Sequence, residues 1–400
     1  MTVITVTVNT VISLTVIPNM KATPVNPFFF EHTADRWSFT DREKILPIIE
    51  KLLNERGRRV LFYGRRRMGK TSLIDNAALK ASTQIIKVDL SLVVGLTEAA
   101  TLLLNQIPRP PDAIFGKIAK LVEKKLGSVS VSLWKFAFKA DLRQSTSQAN
   151  IDVALDFIEA VAEAEDIIYT VWLDEFQEIW KLGGEDIAWR IRALSQRHHH
   201  INYFFSGSDH RLLKRMTDPK AAFFKQLETI EVGPIDPELM AKWIDARMKQ
   251  GGIPAKNIGA DIVAVAGPCT GDIVRVAKTA FDILAAGHKG EDGDVAARAM
   301  NDISLRQLHN EHAAFWRQMT LVQRAVLRAL AAGRAPQSAE TVSLFGIGSP
   351  SNAGAAVEAL VEAQFLARNS DGRGVFFDSP FFKQWVAANG APSDVVPLNP

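Results

Sequence analysis

The chain has 400 residues, 47% of them hydrophobic, with a formal net charge of +3. That length supports two or three domains with sizeable cores. The near-neutral balance gives no global reason to expect nucleic acid or an anionic membrane as partner, so any basic surface must be local. A single cysteine, Cys269, excludes an internal disulfide and a cysteine-based metal cluster and suits a reducing cytoplasm, the expected location.

The opening "MTVITVTVNTVISLTVIPNM" is apolar and β-branched, yet it lacks a basic n-region and a small-residue cleavage site, and its Thr and Asn content is too high for a membrane span. Composition changes abruptly after Met20, which marks 1–25 as an appended leader and Met20 as the expected start. From residue 26 short apolar runs alternate with amphipathic stretches, the signature of βαβ units around a parallel sheet. Five strands are predicted, "RVLFY" (59–63), "QIIKVDLS" (84–91), "DIIYTVWLDE" (166–175), "INYFFSGS" (201–208) and "ETIEVGPI" (228–235), with helices such as "DVALDFIEAVAEA" between them. "SVSVSLWKFAFKADL" (128–142) alternates at period two and reads as a hairpin insert.

After Pro234 the strand signal stops. "DPELMAKWIDARMKQGG" and "GADIVAVAGPCTGDIVRVAKTAFDILAAG" predict a helical lid ended by glycine turns. From 301 the order is two helices, a third over "SPSNAGAAVEALVEAQFLAR", a turn at "NSDGRG" and the apolar "VFFDS", which suits a winged helix. The expected fold is therefore α/β, with a five-stranded parallel P-loop NTPase core at 26–235, a helical lid at 236–300, a winged-helix domain at 301–390 and a tail at 391–400.

Gly64-Arg65-Arg66-Arg67-Met68-Gly69-Lys70-Thr71, followed by Ser72, fits G-x-x-x-x-G-K-[ST] with a strand before it and a helix after it. The glycines let successive N–H groups curl around phosphates at a helix N-terminus, and Lys70 supplies a point charge to the β- and γ-phosphates. Thr71 is the expected Mg²⁺ ligand. A second metal acid is needed at the tip of a neighbouring strand, and Asp174 fills that place. Glu175, the next residue, is the candidate general base that polarises the attacking water. "FFSGSDHR" leaves the following strand at its carboxyl edge, so Ser208 or Ser206 is a candidate γ-phosphate sensor, and Arg275 in the lid is a second.

The segment 190–225 carries Arg190, Arg192, Arg197, Arg211, Lys214, Arg215, Lys220 and Lys225 against Asp209 and Asp218. Arg211 and Arg215 are candidates for an arginine finger acting on a neighbouring copy; the same segment offers charge to DNA phosphates. His198, His199 and His200 read as a polar turn at a helix end, since consecutive residues cannot turn three imidazoles to one ion.

Taken together, "FTDREKI" (39–45), "YGRRRMGKTSL", "WLDEFQEI", "IRALSQRHHHINYFFSGSDHRLLKRM" and "FFDSPFFKQWV" resemble the archaeal-type ATPase family, a branch of the AAA+ and STAND class of P-loop NTPases. The likeness spans roughly residues 26–388, and "LDEFQ" joined to "FSGS" is its most specific part. It implies an ATPase core, a lid and a C-terminal winged helix, with Lys70 and Thr71 on phosphate and Mg²⁺, Asp174 on the metal and Glu175 as base. One departure is "AGPCTGDIVRV", where many relatives show a TGG-N-P-like turn, so the lid contact stays open between Pro268 and Arg275.

The third helix of the expected winged helix carries no Lys or Arg from Ser349 to Gln364 but does carry Glu358 and Glu362. That sign is wrong for DNA phosphates and favours a protein contact. The expectation is an ATP- and Mg²⁺-dependent switch whose nucleotide state controls homo-oligomerisation or engagement of a protein partner, with no membrane. The alternative is a DNA-handling ATPase in replication, transposition or defence, and a third reading is a nucleotide-binding scaffold with little turnover.

Overall fold

The computed structural model describes residues 24–30, 42–81, 83–108, 116–118, 120–121, 151–208, 210–253, 257–287, 292–369 and 374–390. The expected hairpin at 128–142, nearly all of the leader and the tail lie outside them. Five strands, β1 (Arg59–Tyr63), β2 (Gln84–Asp89), β3 (Tyr169–Asp174), β4 (Ile201–Gly207) and β5 (Glu228–Glu231), form one parallel sheet in the order β2-β3-β4-β1-β5. All five fall inside the stretches expected from sequence. β3 and β4 are buried at every position, which is why they read as unbroken apolar runs.

The pleat divides the strand side chains between two cores. Val60, Phe62, Trp172 and Phe204 face the helices α1 (Leu46–Asn54) and α2 (Lys70–Ala78), whose Leu53, Leu73 and Ile74 complete that layer. Leu61, Val171, Leu173, Tyr203 and Phe205 face α3 (Leu96–Asn105), α4 (Ile151–Glu165), the short α5 (Ile179–Gly183) and α6 (Ile187–Arg197). α7 (His210–Thr217) follows β4.

Beyond β5 the described chain is helical until its last turns. α8 (Pro237–Gln250), α9 (Ile258–Ala266), α10 (Thr270–Ala285) and α11 (Asp292–Asp302) close around Met240, Ile244, Ile262, Val276 and Phe281. α8 starts where sequence predicts, because the Asp236 side chain accepts from the Glu238 and Leu239 N–H groups and Pro237 occupies the first helical position. A third core, around Val326, Leu327, Val357, Leu360, Phe382 and Trp385, is built from α12 (His309–Gln318), α13 (Leu321–Ala331), α14 (Ala339–Leu344), α15 (Pro350–Glu362), an antiparallel ribbon of β6 (Leu366–Arg368) and β7 (Val375–Phe377), and α16 (Pro380–Gly390). Phe381 of α16 leaves this third core and packs with the helices of the second, as does Phe28 from the N-terminal side.

The histidine run forms the turn between α6 and β4. The two nitrogens of His198 lie 2.6 Å from the Tyr203 hydroxyl and 2.8 Å from an Asp156 oxygen, and the His199 and His200 N–H groups donate to Glu159. Glu159 is thereby engaged by the turn. Nearby, Asn202 is fully buried: its side-chain oxygen accepts from the Arg58 N–H at 2.8 Å and its amide donates to the Leu52 and Leu53 carbonyls, each at 3.3 Å. One amide thus fixes the end of α1 to β1 and β4. Asn202→Ala leaves those three backbone groups without this partner and should destabilise the core by about 2–3 kcal/mol, read as a lowered Tm.

Candidate nucleotide site

The turn between β1 and α2 is shaped by three residues at positive φ. Gly64 has φ 148°, and a Cβ there would lie 2.3 Å from the Val232 carbonyl oxygen. Only glycine passes this point without shifting backbone. Arg67 (φ 62°) and Gly69 (φ 85°) adopt left-handed conformations, and Gly69 precedes α2 without a side-chain cap. The first N–H groups of α2 are therefore presented to the loop interior, the arrangement that receives an anion. Met68 is buried in the core beneath, and Arg42 donates to the Met68 carbonyl at 3.1 Å and the Gly233 carbonyl at 2.9 Å. Lys70 is buried too; its ammonium donates to the Gly64 carbonyl at 2.8 Å and the Arg65 carbonyl at 3.0 Å. Burial pulls its pKa down, with Glu175 and Asp174 acting in the opposite direction.

Asp174 ends β3, directly across from the loop. Its Oδ1 accepts from the Ser206 hydroxyl at 2.5 Å and the Glu175 N–H at 3.1 Å. Its Oδ2 accepts from the Thr71 hydroxyl at 3.4 Å and lies 3.3 Å from the Lys87 ammonium. Lys87 sits 3.9 Å above the Trp172 ring, and the Trp172 indole N–H donates to Ser206 at 2.5 Å. Asp174 is thus held by groups from β2, β4 and α2 and by the N–H of the residue after it. Glu175 is left-handed (φ 49°, ψ 47°), an unfavourable conformation for a side chain of its size. Its Oε2 accepts from Ser208 at 3.0 Å and from the Gln177 amide. Arg66 in turn donates to the Ser208 hydroxyl at 3.3 Å.

These distances separate the two serine candidates. Ser206 is fully buried and positions Asp174, whereas Ser208 connects the loop to Glu175. Ser72 follows Thr71 on α2, where its carbonyl accepts from Asn76 at 2.8 Å. Arg275 lies with its guanidinium 5.0 Å from the Phe30 ring centre and 5.5 Å from that of Phe381, and it donates to Gln307 at 3.4 Å. It borders a cavity of about 480 Å³ that Arg66, Arg67 and Asp378 also line. Of the two finger candidates, Arg215 is paired with Glu185 and covers the Trp180 ring at 4.0 Å, while Arg211 belongs to α7. Part of the basic segment is met by acids: Arg190 pairs with Asp152 and Arg197 with Asp156.

The remaining loop arginines bind acids brought from far along the chain. Arg65 and Arg67 each reach Asp378 at 3.2 Å, and Arg67 also reaches Asp272 of α10 at 2.9 Å. Sequence reasoning assigned no role to Asp378, Asp272, Lys87, Gln177 or Arg42. All five stand within stretches quoted above, Arg42 in "FTDREKI", Lys87 in "QIIKVDLS", Gln177 in "LDEFQ", Asp272 in "AGPCTGDIVRV" and Asp378 in "FFDSPFFKQWV".

The residues present fit a magnesium–triphosphate. The uncapped N-terminus of α2, the buried Lys70 ammonium and the facing Thr71–Asp174 pair form a donor set of the required signs. The five-stranded parallel sheet with its β1–α2 loop and C-terminal helices is the fold seen in P-loop proteins of the AAA+ type. The Walker-type ATPase of Pyrococcus abyssi superposes with a TM-score of 0.62 at 16% identity, covering 88% of this chain and 97% of that one. The ORC2 protein of Aeropyrum pernix, solved in ADPNP–ADP complexes, gives 0.53 at 14% identity, covering 90% and 97%. No family model and no curated protein sequence matches the chain. Among the described residues no helix is long and apolar enough to cross a membrane.

Asp272 is almost completely buried, and burial, opposed by Arg67, pushes its carboxyl up to about 6. The folded protein holds this proton more tightly than the unfolded chain does, so the ionised carboxyl costs stability above pH 6, and the cost fades as pH falls toward 3.8, the ordinary value. Asp272→Asn should therefore raise Tm relative to wild type at about pH 8, with the gap closing as pH is lowered through about 6 toward 4, checked by thermal scans across pH.

Proposed function

We propose that the protein is an ATP-binding and ATP-hydrolysing switch whose nucleotide state governs homo-oligomerisation or engagement of a protein partner. The observation that carries this reading is the convergence of Lys70, Thr71, Asp174 and Glu175 at the carboxyl edge of one parallel sheet, with Ser208 bonded to Glu175. Lys70 and the α2 N-terminus bind the phosphates, and Thr71 and Asp174 hold the metal. A magnesium ion held there would supply positive charge to the phosphates. Glu175 takes up the proton of the attacking water, its carboxylate oriented by Ser208 and Gln177. The likeness to a structure solved with ADPNP and ADP supports a nucleotide in this place.

The C-terminal helices with the β6–β7 ribbon are read as a winged helix in a protein-contact role, because α15 carries Glu358 and Glu362 and no Lys or Arg. A DNA-handling ATPase is the second reading, supported by the basic segment at 190–225 and weakened by the Arg190–Asp152 and Arg197–Asp156 pairs. Turnover measured with and without duplex DNA over a salt series separates the two, since phosphate contacts weaken steeply as salt rises.

Lys70→Ala should abolish ATP binding. Glu175→Gln should keep ATP binding and lower turnover by about 10²–10⁴-fold, measured by phosphate release alongside nucleotide titration. Hydrolysis retained in both purified variants overturns the proposal.

A further inference from the structure

Two of the three loop arginines share one carboxylate that lies more than three hundred residues away in sequence. Arg65 reaches Asp378 Oδ1 at 3.2 Å and the Asp378 carbonyl at 3.3 Å, with its guanidinium 4.5 Å from the Phe376 ring centre. Arg67 reaches Asp378 Oδ2 at 3.2 Å and Asp272 Oδ1 at 2.9 Å, while its own carbonyl accepts from the Gly271 N–H at 2.9 Å. The phosphate loop, the start of α10 and the β7–α16 corner therefore meet at one point. We infer that Asp378 is an intramolecular latch: its carboxylate holds the loop in a form that opposes triphosphate binding, so that nucleotide binding and release of the β7–α16 corner are coupled through Arg65 and Arg67. This regulation rests on the reading of the loop as an ATP site.

Geometry gives the sign of the coupling. The Lys70 ammonium donates to the Gly64 and Arg65 carbonyls, which leaves one of its three donors for a phosphate and ties it to the loop backbone. Arg65 is gripped at both ends, its carbonyl by Lys70 and its side chain by Asp378 and Phe376, so adjustment of the loop around an incoming phosphate is resisted while the latch is made. Charge acts the same way. Asp378 offsets two cations at the mouth of the loop, and its departure would leave both guanidinium groups available to an incoming polyphosphate.

The latch is also placed where it transmits rather than merely stabilises. The Arg65 and Asp378 side chains are 14% and 18% exposed, and Arg67 is 39% exposed. Arg67 is the more exposed of the two arginines, so its pair with Asp378 is the one more readily exchanged for another anion. Linkage makes the effect reciprocal: whatever Asp378 subtracts from nucleotide affinity, bound nucleotide subtracts from the hold on the corner.

The test uses the full chain with Asp378→Asn and Asp378→Glu, a fluorescent non-hydrolysable ATP analogue with Mg²⁺, and backbone hydrogen exchange over residues 374–378. Asp378→Asn should bind the analogue about 5- to 10-fold more tightly than wild type. Without nucleotide, its 374–378 amides should exchange as fast as those of nucleotide-bound wild type. Asp378→Glu, which keeps the charge, should stay near wild type and shows that the effect is not loss of fold. Unchanged or weaker affinity in a folded Asp378→Asn protein overturns the latch; if Lys70→Ala still abolishes binding in that case, the ATP site stands without it. No binding by wild type or either Asp378 variant overturns the ATP reading and the latch together.

Discussion

A buried ammonium needs partners, and much of the site follows from how Lys70 finds them. The lysine is placed at the first position of α2 by the left-handed Gly69, below a loop whose N–H groups face inward. Its partners here are carbonyls of the loop itself, with Asp174 and Glu175 near enough to favour the charge. A cation surrounded by dipoles and acids that can be rearranged without unfolding suits a group that must exchange ligands repeatedly.

The acid side of the site is built differently. Asp174 is fixed by Ser206, Lys87 and Thr71, and Ser206 is itself fixed by Trp172. Apart from Thr71 of α2, those side chains come from neighbouring parallel strands in register, Lys87 opposite Trp172 and Trp172 opposite Phe204. The placing of Asp174 is therefore largely a property of the sheet, and that of Lys70 a property of a loop. Motion at the site can be confined to one of its two halves.

Much of the fold was legible because buried parallel strands have no polar face to confuse the pattern: β3 and β4 appear in sequence as plain apolar runs. The phosphate loop was legible for a related reason, since glycine positions forced by positive φ survive as a spaced motif. Three features escaped. Asp378 and Asp272 carry no local signal, because their meaning lies in contacts with residues separated by hundreds of positions or by a lid turn. Lys87 sits in a strand where it reads as an ordinary edge polar residue, though its ammonium points over Trp172 to Asp174. Arg275, the candidate second sensor, is engaged by two phenylalanine rings and Gln307, an environment that composition around "TGDIVRV" does not encode.

Phe381 has a mechanical meaning. It is 1% exposed and packed among the helices of the second core, while its neighbours Phe382 and Trp385 belong to the third. Lifting α16 away wholesale would carry a phenylalanine out of one hydrophobic core into water, at a cost of about 2–3 kcal/mol. Rotation about that ring avoids the cost. Asp378 stands three residues before this pivot, at the end of a short lever. A slight turn there separates a carboxylate from two guanidinium groups and leaves both cores closed.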